Sequence, residues 1–218
     1  GWGAGGHAAI ALKKGYFKDE GFAQVDLKFF AAGMMQLEAM ISGAVNFTNA
    51  AQAPVLSLRG NGLPVVVLAN TALADRSSAV AVRRSANVRE PKQLEGLKIG
   101  VLKGSPAEQM LALLCKQYGI DLAKIQQVNL PPPAKLASLS TGAIDGIAVW
   151  QPWIQQASEK IPLDVVHTGT TSNFPGNKGE ARRIDHTRTV LTSTEAFVRK
   201  NPQTVLALLR AYVKAQAF

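Results

Sequence analysis

The side chains that most often carry out chemistry are sparse and irregularly spaced in this chain. His7, His167 and His186 have no spacing that would bring imidazoles to one metal ion, and Cys115 falls in an apolar helical stretch where a thiol is inert. There is no Gly-x-Ser-x-Gly elbow and no phosphate-binding P-loop, and no base is evident for Ser105. These residues predict no catalytic set, no metal and no cofactor. They offer binding chemistry instead. Gly33-Met34-Met35 and Gly104-Ser105-Pro106 each follow a predicted strand and open a helix, where unpaired N–H groups attract an anion. Ser105 could equally cap its own helix, and Glu108 in the first turn opposes an anion there.

Asn49, Gln52 and Gln151 are expected just past strand C-terminal ends, where open α/β sheets place ligands. Trp150 and Trp153 flank a Gln-Pro step and could stack on a flat ligand or cover an alkyl chain. Trp150 is expected in a cleft, and Trp153 either there or in the core. Gly1-Trp2-Gly3-Ala4-Gly5-Gly6 matches the dinucleotide fingerprint. However, no strand precedes it here, and the next predicted strand ends in Phe29-Phe30-Ala31 rather than in a ribose-binding acid. It reads as a loop feeding a helix at His7, with Trp2 free to line a pocket.

The elements that must hold these residues repeat. Residues 28–54 lie over residues 127–153 at a constant offset of 99, with identities at Leu37/Leu136, Gly43/Gly142, Ala44/Ala143 and Gln52/Gln151. Both copies read strand, turn, helix, Gly stop, strand, polar residue, so two similar lobes with a cleft between them are expected. Helix and strand alternate throughout, predicting an α/β fold with largely parallel sheets. Strands are expected at 24–30, 45–48, 63–69, 78–83, 97–102, 125–129, 143–149, 165–166 and 190–193. Helices are expected at 7–14, 34–42, 53–59, 106–117, 133–140 and 202–216, and a loop from Ser172 to His186. The polar segment 84–92 reads as a linker, placing one lobe at 1–83 with 190–218 and the other at 84–189.

A chain of 218 residues with 47% hydrophobic and 18% charged residues can bury a substantial core. The net charge of +9 suggests nucleic acid, but the basic residues are dispersed and the densest group, Lys178, Arg182, Arg183 and Arg188, is interleaved with Glu180 and Asp185. A basic surface favouring small anions is the expectation, with no nucleic-acid partner. The longest apolar run, Leu63 to Ala69, is too short to cross a bilayer, and no signal peptide opens the chain.

Leu94-Glu95-Gly96-Leu97-Lys98-Ile99-Gly100-Val101, then Lys103-Gly104-Ser105, Asn129-Leu130-Pro131-Pro132 and the run from Leu139 through Gly142-Ala143-Ile144-Asp145 to Trp150-Gln151-Pro152-Trp153 resemble periplasmic solute-binding proteins of ABC importers. The most similar branch is that for nitrate, taurine and alkanesulfonates. Lys14 to Gly21 resembles its first helix end, and Ser193 to Pro202 its return to lobe one. The resemblance implies an α/β, type II periplasmic-binding-protein fold of two lobes, with hinges near Arg83 and Thr189. It implies a periplasmic, monomeric protein that captures a small organic anion, sulfonate-like, and delivers it to an ABC permease in the inner membrane. The ligand contacts it implies are Trp2, Gly33, Met34, Met35, Asn49, Ala50, Gln52, Gly104, Ser105, Pro106, Ala107, Trp150, Gln151 and Trp153. Two departures stand out: the chain starts in what should be the first strand-to-helix loop, and residues 174–185 look like an extra loop. The alternative is an enzyme on the same fold related to thiamine-pyrimidine synthesis, whose Cys-rich motif this chain lacks.

Overall fold

The computed structural model describes residues 2–74, 76–180, 183–185 and 187–218, apart from the side chains of Trp2, Ala4 and Glu180. The chain begins with helices α1 (Trp2–Lys13), α2 (Tyr16–Asp19) and α3 (Gly33–Ile41), followed by β1 (Thr48–Ala51), α4 (Gln52–Gly60) and β2 (Val65–Leu73). Next come β3 (Ser78–Arg83), β4 (Lys98–Val101), α5 (Pro106–Tyr118), β5 (Gln126–Asn129), α6 (Pro132–Thr141), β6 (Gly146–Trp150) and α7 (Trp153–Lys160). The remainder is β7 (Leu163–Thr168), β8 (Thr171–Ser172), β9 (Gly179–Glu180), β10 (Arg188–Thr194), α8 (Glu195–Lys200) and α9 (Pro202–Gln216).

The internal repeat is carried by the backbone. Helix α3 opens at Gly33 and α6 at Pro132, the same offset as in the sequence, and β1 falls on the last four residues of β6. Each helix stops at a left-handed glycine, Gly43 at φ 80° and Gly142 at φ 76°, a conformation that a Cβ strongly disfavours.

The chain divides into two units, residues 1–72 with 188–218, and residues 73–187. The second unit takes in residues 73–83, which the sequence reading places in the first lobe, and segment 84–92 lies within it as short turns rather than as an interlobe linker. Arg83, expected at a hinge, donates from a guanidinium nitrogen to the Leu139 carbonyl at 2.7 Å, inside the second unit.

In the first unit the described strands form a sheet of order β1-β10-β2, with Thr48 opposite Thr192 and Ala51 opposite Thr189 in antiparallel register. Neighbouring side chains on a strand face opposite ways, so Leu191 joins Phe17, Leu208 and Tyr212 on one side, while Val190 and Ala50 join Leu37, Met40 and Val55 on the other. Residues 24–30 alternate as a strand would but pair with no strand among the described residues, and Phe29 is 81% exposed. Alternation shows which residues can face a core; a ladder also needs a neighbour with free hydrogen-bonding groups.

The second unit holds a sheet of order β5-β4-β6-β3-β7-β8-β9 among the described residues. Strand β4 is parallel to β5 and β6, whereas β3 is antiparallel to β6 and β7, so the sheet is mixed rather than largely parallel. Strand β3 enters the middle of the sheet directly from the first unit, without the crossover helix that parallel neighbours require. Val80 and Val82 pack with Leu111 and Leu114 of α5, and Ala79 and Ala81 with Leu139 and Ile154 of α6 and α7. Burial on both faces explains why β3 reads as an unbroken apolar run. The expected loop 172–186 contains β8, a short turn at Pro175–Asn177 and β9, and is anchored by Phe174, which is buried with its ring centroid 5.8 Å from that of Tyr118.

His167 on β7 is fully buried, and neither ring nitrogen has a hydrogen-bond partner among the described residues. Burial pushes its pKa below the ordinary histidine value; the backbone of Thr168 opposes the shift without reaching hydrogen-bond geometry. With the folded pKa depressed, the imidazole is neutral in both states above the unfolded value of about 6.5. As pH falls through that value the unfolded chain takes up a proton first, and stability is lost until the folded pKa is reached. In His167→Leu, the fall in urea-unfolding free energy between about pH 7 and about pH 5 should be shallower than in the wild type. An unchanged slope would show that His167 does not contribute to it.

Candidate functional site

In the first unit, two helix starts and one strand end converge. A Cβ placed on Gly33, the first residue of α3, would lie 3.4 Å from Pro54 Cγ and 3.5 Å from Ala50 Cβ. The start of α3 therefore rests against the end of β1 and the first turn of α4. Neither helix has a side-chain cap, because Ala32 and Ala51 stand at the cap positions. The first N–H groups of an α-helix have no acceptor within the helix, so those of Gly33, Met34 and Met35 are available to one outside it.

Asn49 lies within β1 rather than beyond its end, because the strand runs three residues further than expected. Across β10, the Thr71 hydroxyl is 2.9 Å from Asn49 Oδ1 and 3.0 Å from both the Thr189 carbonyl and its hydroxyl. This set fixes the amide. Asn49 Nδ2 is enclosed and has no hydrogen-bond partner among the described residues. An enclosed donor left unpaired costs about 1–3 kcal/mol, so its presence marks a place for an acceptor.

The second unit meets the same requirement internally. Ser105 Oγ accepts the N–H of Glu108 at 3.3 Å, and the Glu108 carboxylate accepts the N–H of Gly104 at 2.7 Å. The start of α5 thus holds its own acceptors and a negative charge. Nearby, Trp150 is half-buried and packs against both cores of the unit, and Trp153 packs against the core under α6 and α7. Gln151 is exposed, and its N–H donates to the Ser77 carbonyl at 2.9 Å. Behind Trp150 lies Lys135, fully buried, with Nζ 2.7 Å from the Ala148 carbonyl and 5.7 Å from the indole centroid. Burial pushes its pKa down to about 7 against the opposing pull of Glu108.

The predicted binding residues thus fall into distinct groups. Gly33, Met34 and Met35 open α3 against Ala50 and Pro54, close to Gln52, the first residue of α4, and Met35 is exposed; Asn49 faces the other side of the sheet from Ala50. Gly104 and Ser105 are committed to capping, and Pro106 is the first residue of α5. Ala50 and Ala107 are core residues, 1% and 0% exposed. The side chain of Trp2 lies outside the described residues, and so does His186; the backbone at Trp2 is helical, so α1 starts where a loop was expected. Thr71 and Lys135 were not found from the sequence, and Thr189 was expected only near a hinge. Among the described residues no group of three acidic, His or Cys side chains could hold a metal, and burial pushes the Cys115 thiol up to about 11.

The chain belongs to the NMT1/THI5-like family, whose profile matches residues 7–218. It is 29% identical over 209 residues to the taurine-binding periplasmic protein of Escherichia coli, covering 96% of this chain and 62% of that protein. It is 23% identical over 189 residues to the putative aliphatic sulfonates-binding protein of the same organism, covering 83% and 59%. The chain therefore spans about six-tenths of the length of these relatives. Among solved structures, the alkanesulfonate-binding protein SsuA from Xanthomonas axonopodis pv. citri bound to MOPS superposes with a TM-score of 0.79 at 19% identity, covering 97% of this chain and 70% of that one. The fold is that of periplasmic binding proteins, as the sequence resemblance implies.

Asn49 and the Ser105 cap make separate predictions for stability. Asn49→Ala removes one hydrogen bond together with an unpaired donor, so urea unfolding should change by no more than about 1 kcal/mol. Ser105→Ala removes a working cap and should destabilise by about 1 kcal/mol, within a range of about 0.5–2. A loss of several kcal/mol in Asn49→Ala would mean that its amide nitrogen has a structural partner.

Proposed function

We propose that this chain is the solute-binding part of a periplasmic component of an ABC importer. It captures a small organic anion of the sulfonate class and passes it to a membrane permease, with no chemistry on the solute, acting as a monomer. The observation that carries this reading is Asn49: an oriented amide with a free N–H donor near the end of β1, the strand against whose other face the uncapped start of α3 rests. A sulfonate or similar head at the end of β1 would take donors from the backbone of Gly33 to Met35 on one face of the strand and from Asn49 on the other, with Gln52 at the start of α4. In the second unit, Trp150, Gln151 and Trp153 offer aromatic and amide groups suited to an organic solute, and Gly104 to Pro106 lead into α5. Met34, Met35 and the two tryptophans suit a solute with an apolar part and favour a sulfonate over nitrate. The names of the taurine- and sulfonate-binding relatives support the same class. A protonated thiol at Cys115, buried in the α5 core, suits a binding protein better than a thiol enzyme.

Thermal-shift screening should show stabilisation by small alkanesulfonates or taurine exceeding that by nitrate, carboxylates or pyrimidines, reaching about 2.7 kcal/mol at a hundredfold excess over Kd. By calorimetry, Asn49→Ala should weaken sulfonate binding by at least about tenfold, equivalent to losing one well-made hydrogen bond to a charged group. Ser105→Ala should leave it within about twofold, since that hydroxyl is occupied by the helix. Stabilisation by a pyrimidine and by no sulfonate would overturn this reading and favour the enzyme alternative.

A further inference from the structure

Three helical starts in this chain can be compared position by position. In α5 the third helical residue, Glu108, reaches back so that its carboxylate accepts the N–H of Gly104 at 2.7 Å. At the short 3₁₀ turn Pro91–Leu94 the third residue is Gln93, whose amide oxygen accepts the N–H of Glu90 at 3.0 Å and that of Arg89 at 2.6 Å. In both, the third side chain closes backbone donors ahead of the helix, as in a capping box. Helix α3 has Met35 at that position. Ala32, just before α3, has φ −147° and ψ 154°, and its counterpart Glu90 has φ −137° and ψ 156°. The backbone at α3 thus already has the geometry that Gln93 closes. What it lacks is an oxygen on the third side chain.

Methionine can acquire one. Oxidation converts the thioether to a sulfoxide, whose oxygen is bonded to the atom after Cγ, as Oε1 is in glutamine. The chain has four methionines, and their surroundings differ. Met40 is 2% exposed, with its sulfur 3.9 Å from the hydroxyls of Thr48 and Thr192, and Met110 is 1% exposed in the core under α5. Met34 is half-buried and packs against the core formed by Leu37, Met40 and Val55. Met35 is 47% exposed. The chain's single thiol, Cys115, is enclosed in the same core as Met110. An oxidant arriving from solvent therefore meets the sulfur of Met35 most readily, and that sulfur stands at the start of α3.

We propose that Met35 is a site of reversible oxidation, and that its sulfoxide closes the start of α3 as Gln93 closes residues 91–94, weakening anion capture there. The effect on binding rests on the sulfonate reading above; the closing of the helix start does not. The oxidant is hydrogen peroxide. The Met35 sulfur attacks one peroxide oxygen with a lone pair, and the S–O bond forms as the O–O bond breaks. The second oxygen takes the proton shed by the transferred one and leaves as water. Sulfur loses two electrons and the peroxide gains them. A methionine sulfoxide reductase reverses the change with a pair of thiols, which become a disulfide while the oxygen leaves as water. Set against the Ala32 N–H, the sulfoxide oxygen takes the place in front of the helix where an anionic head would find its donors, and its negative partial charge repels that head. One event both stabilises the fold and weakens capture.

The test treats the whole chain with dilute hydrogen peroxide and locates the added oxygen by peptide mass spectrometry. Met35 should be oxidised first, ahead of Met34 and long before Met40 and Met110. The oxidised protein should then melt about 2–4 °C higher, as one added hydrogen bond implies for a chain of this size. By calorimetry its affinity for ethanesulfonate should be about tenfold lower, and a methionine sulfoxide reductase with its thiol reductant should restore both values. Met35→Gln places an amide oxygen at the same reach, and should show the higher melting temperature and the weaker binding without peroxide. Met35→Leu has no sulfur at this position, so its own affinity, whatever its value, should not change on treatment. Oxidation that falls first on another methionine, or a Met35 sulfoxide that leaves melting and affinity as they were, would overturn the proposal. So would a Met35→Leu protein that loses affinity under peroxide as the wild type does. Failure of the reduced protein to bind any sulfonate would overturn the functional reading and the loss of capture with it, while the melting shift would still decide whether the sulfoxide closes α3.

Discussion

A helix start has N–H groups that its own backbone cannot satisfy, and the organisation of this protein follows from where their acceptors come from. Helix α5 supplies them itself, through Ser105 and Glu108. Helix α3 starts after an alanine and cannot, so its donors have no side-chain acceptor at the cap. The two halves of the internal repeat share a frame, but the second copy opens α6 on Pro132 and Pro133, whose nitrogens have no hydrogen to donate, where the first opens α3 on Gly33. Unpaired backbone donors at this position of the repeat are thereby confined to the first unit.

The scaffold serves this division through its sheets. Residues that alternate along β10 join helices on both sides, leaving β1 buried enough to hold Asn49 at a fixed angle. Thr71 and Thr189 then fix the amide from two further strands. In the second unit the sandwich of α5, sheet and α6 with α7 brings Trp150 against both cores, and the same packing encloses Lys135. Each of these polar groups has a cost to the fold. An unpaired amide nitrogen, a buried amine and an unpartnered imidazole all weaken the folded state.

Much of this was legible in the residues. The offset between the copies, the glycine stops after each helix and the Ser-Pro-x-Glu start of α5 depend on local chemistry, and the structure places them as read. The strand expected at 24–30 failed because alternation says nothing about a partner, and β1 was placed three residues early because Phe47-Thr48-Asn49 is no more strand-like than Val45-Asn46-Phe47. Thr71 could not be assigned, since its contacts span 22 and 118 residues of sequence. Lys135 was missed for a different reason. A lysine in a helix reads as a surface residue, yet Pro132, Lys135 and Leu139 form one stripe and all three are buried. A cation on an apolar stripe was the available signal.

The division between open and capped helix starts can be read one amide at a time. Backbone 15N–1H shifts recorded while ethanesulfonate is added should move most at Gly33, Met34 and Met35, together with the Asn49 side-chain amide, and little at Gly104 and Glu108, whose N–H groups already have acceptors. Leading shifts at Gly104 and Glu108, with Gly33 to Met35 unmoved, would contradict the account at its centre.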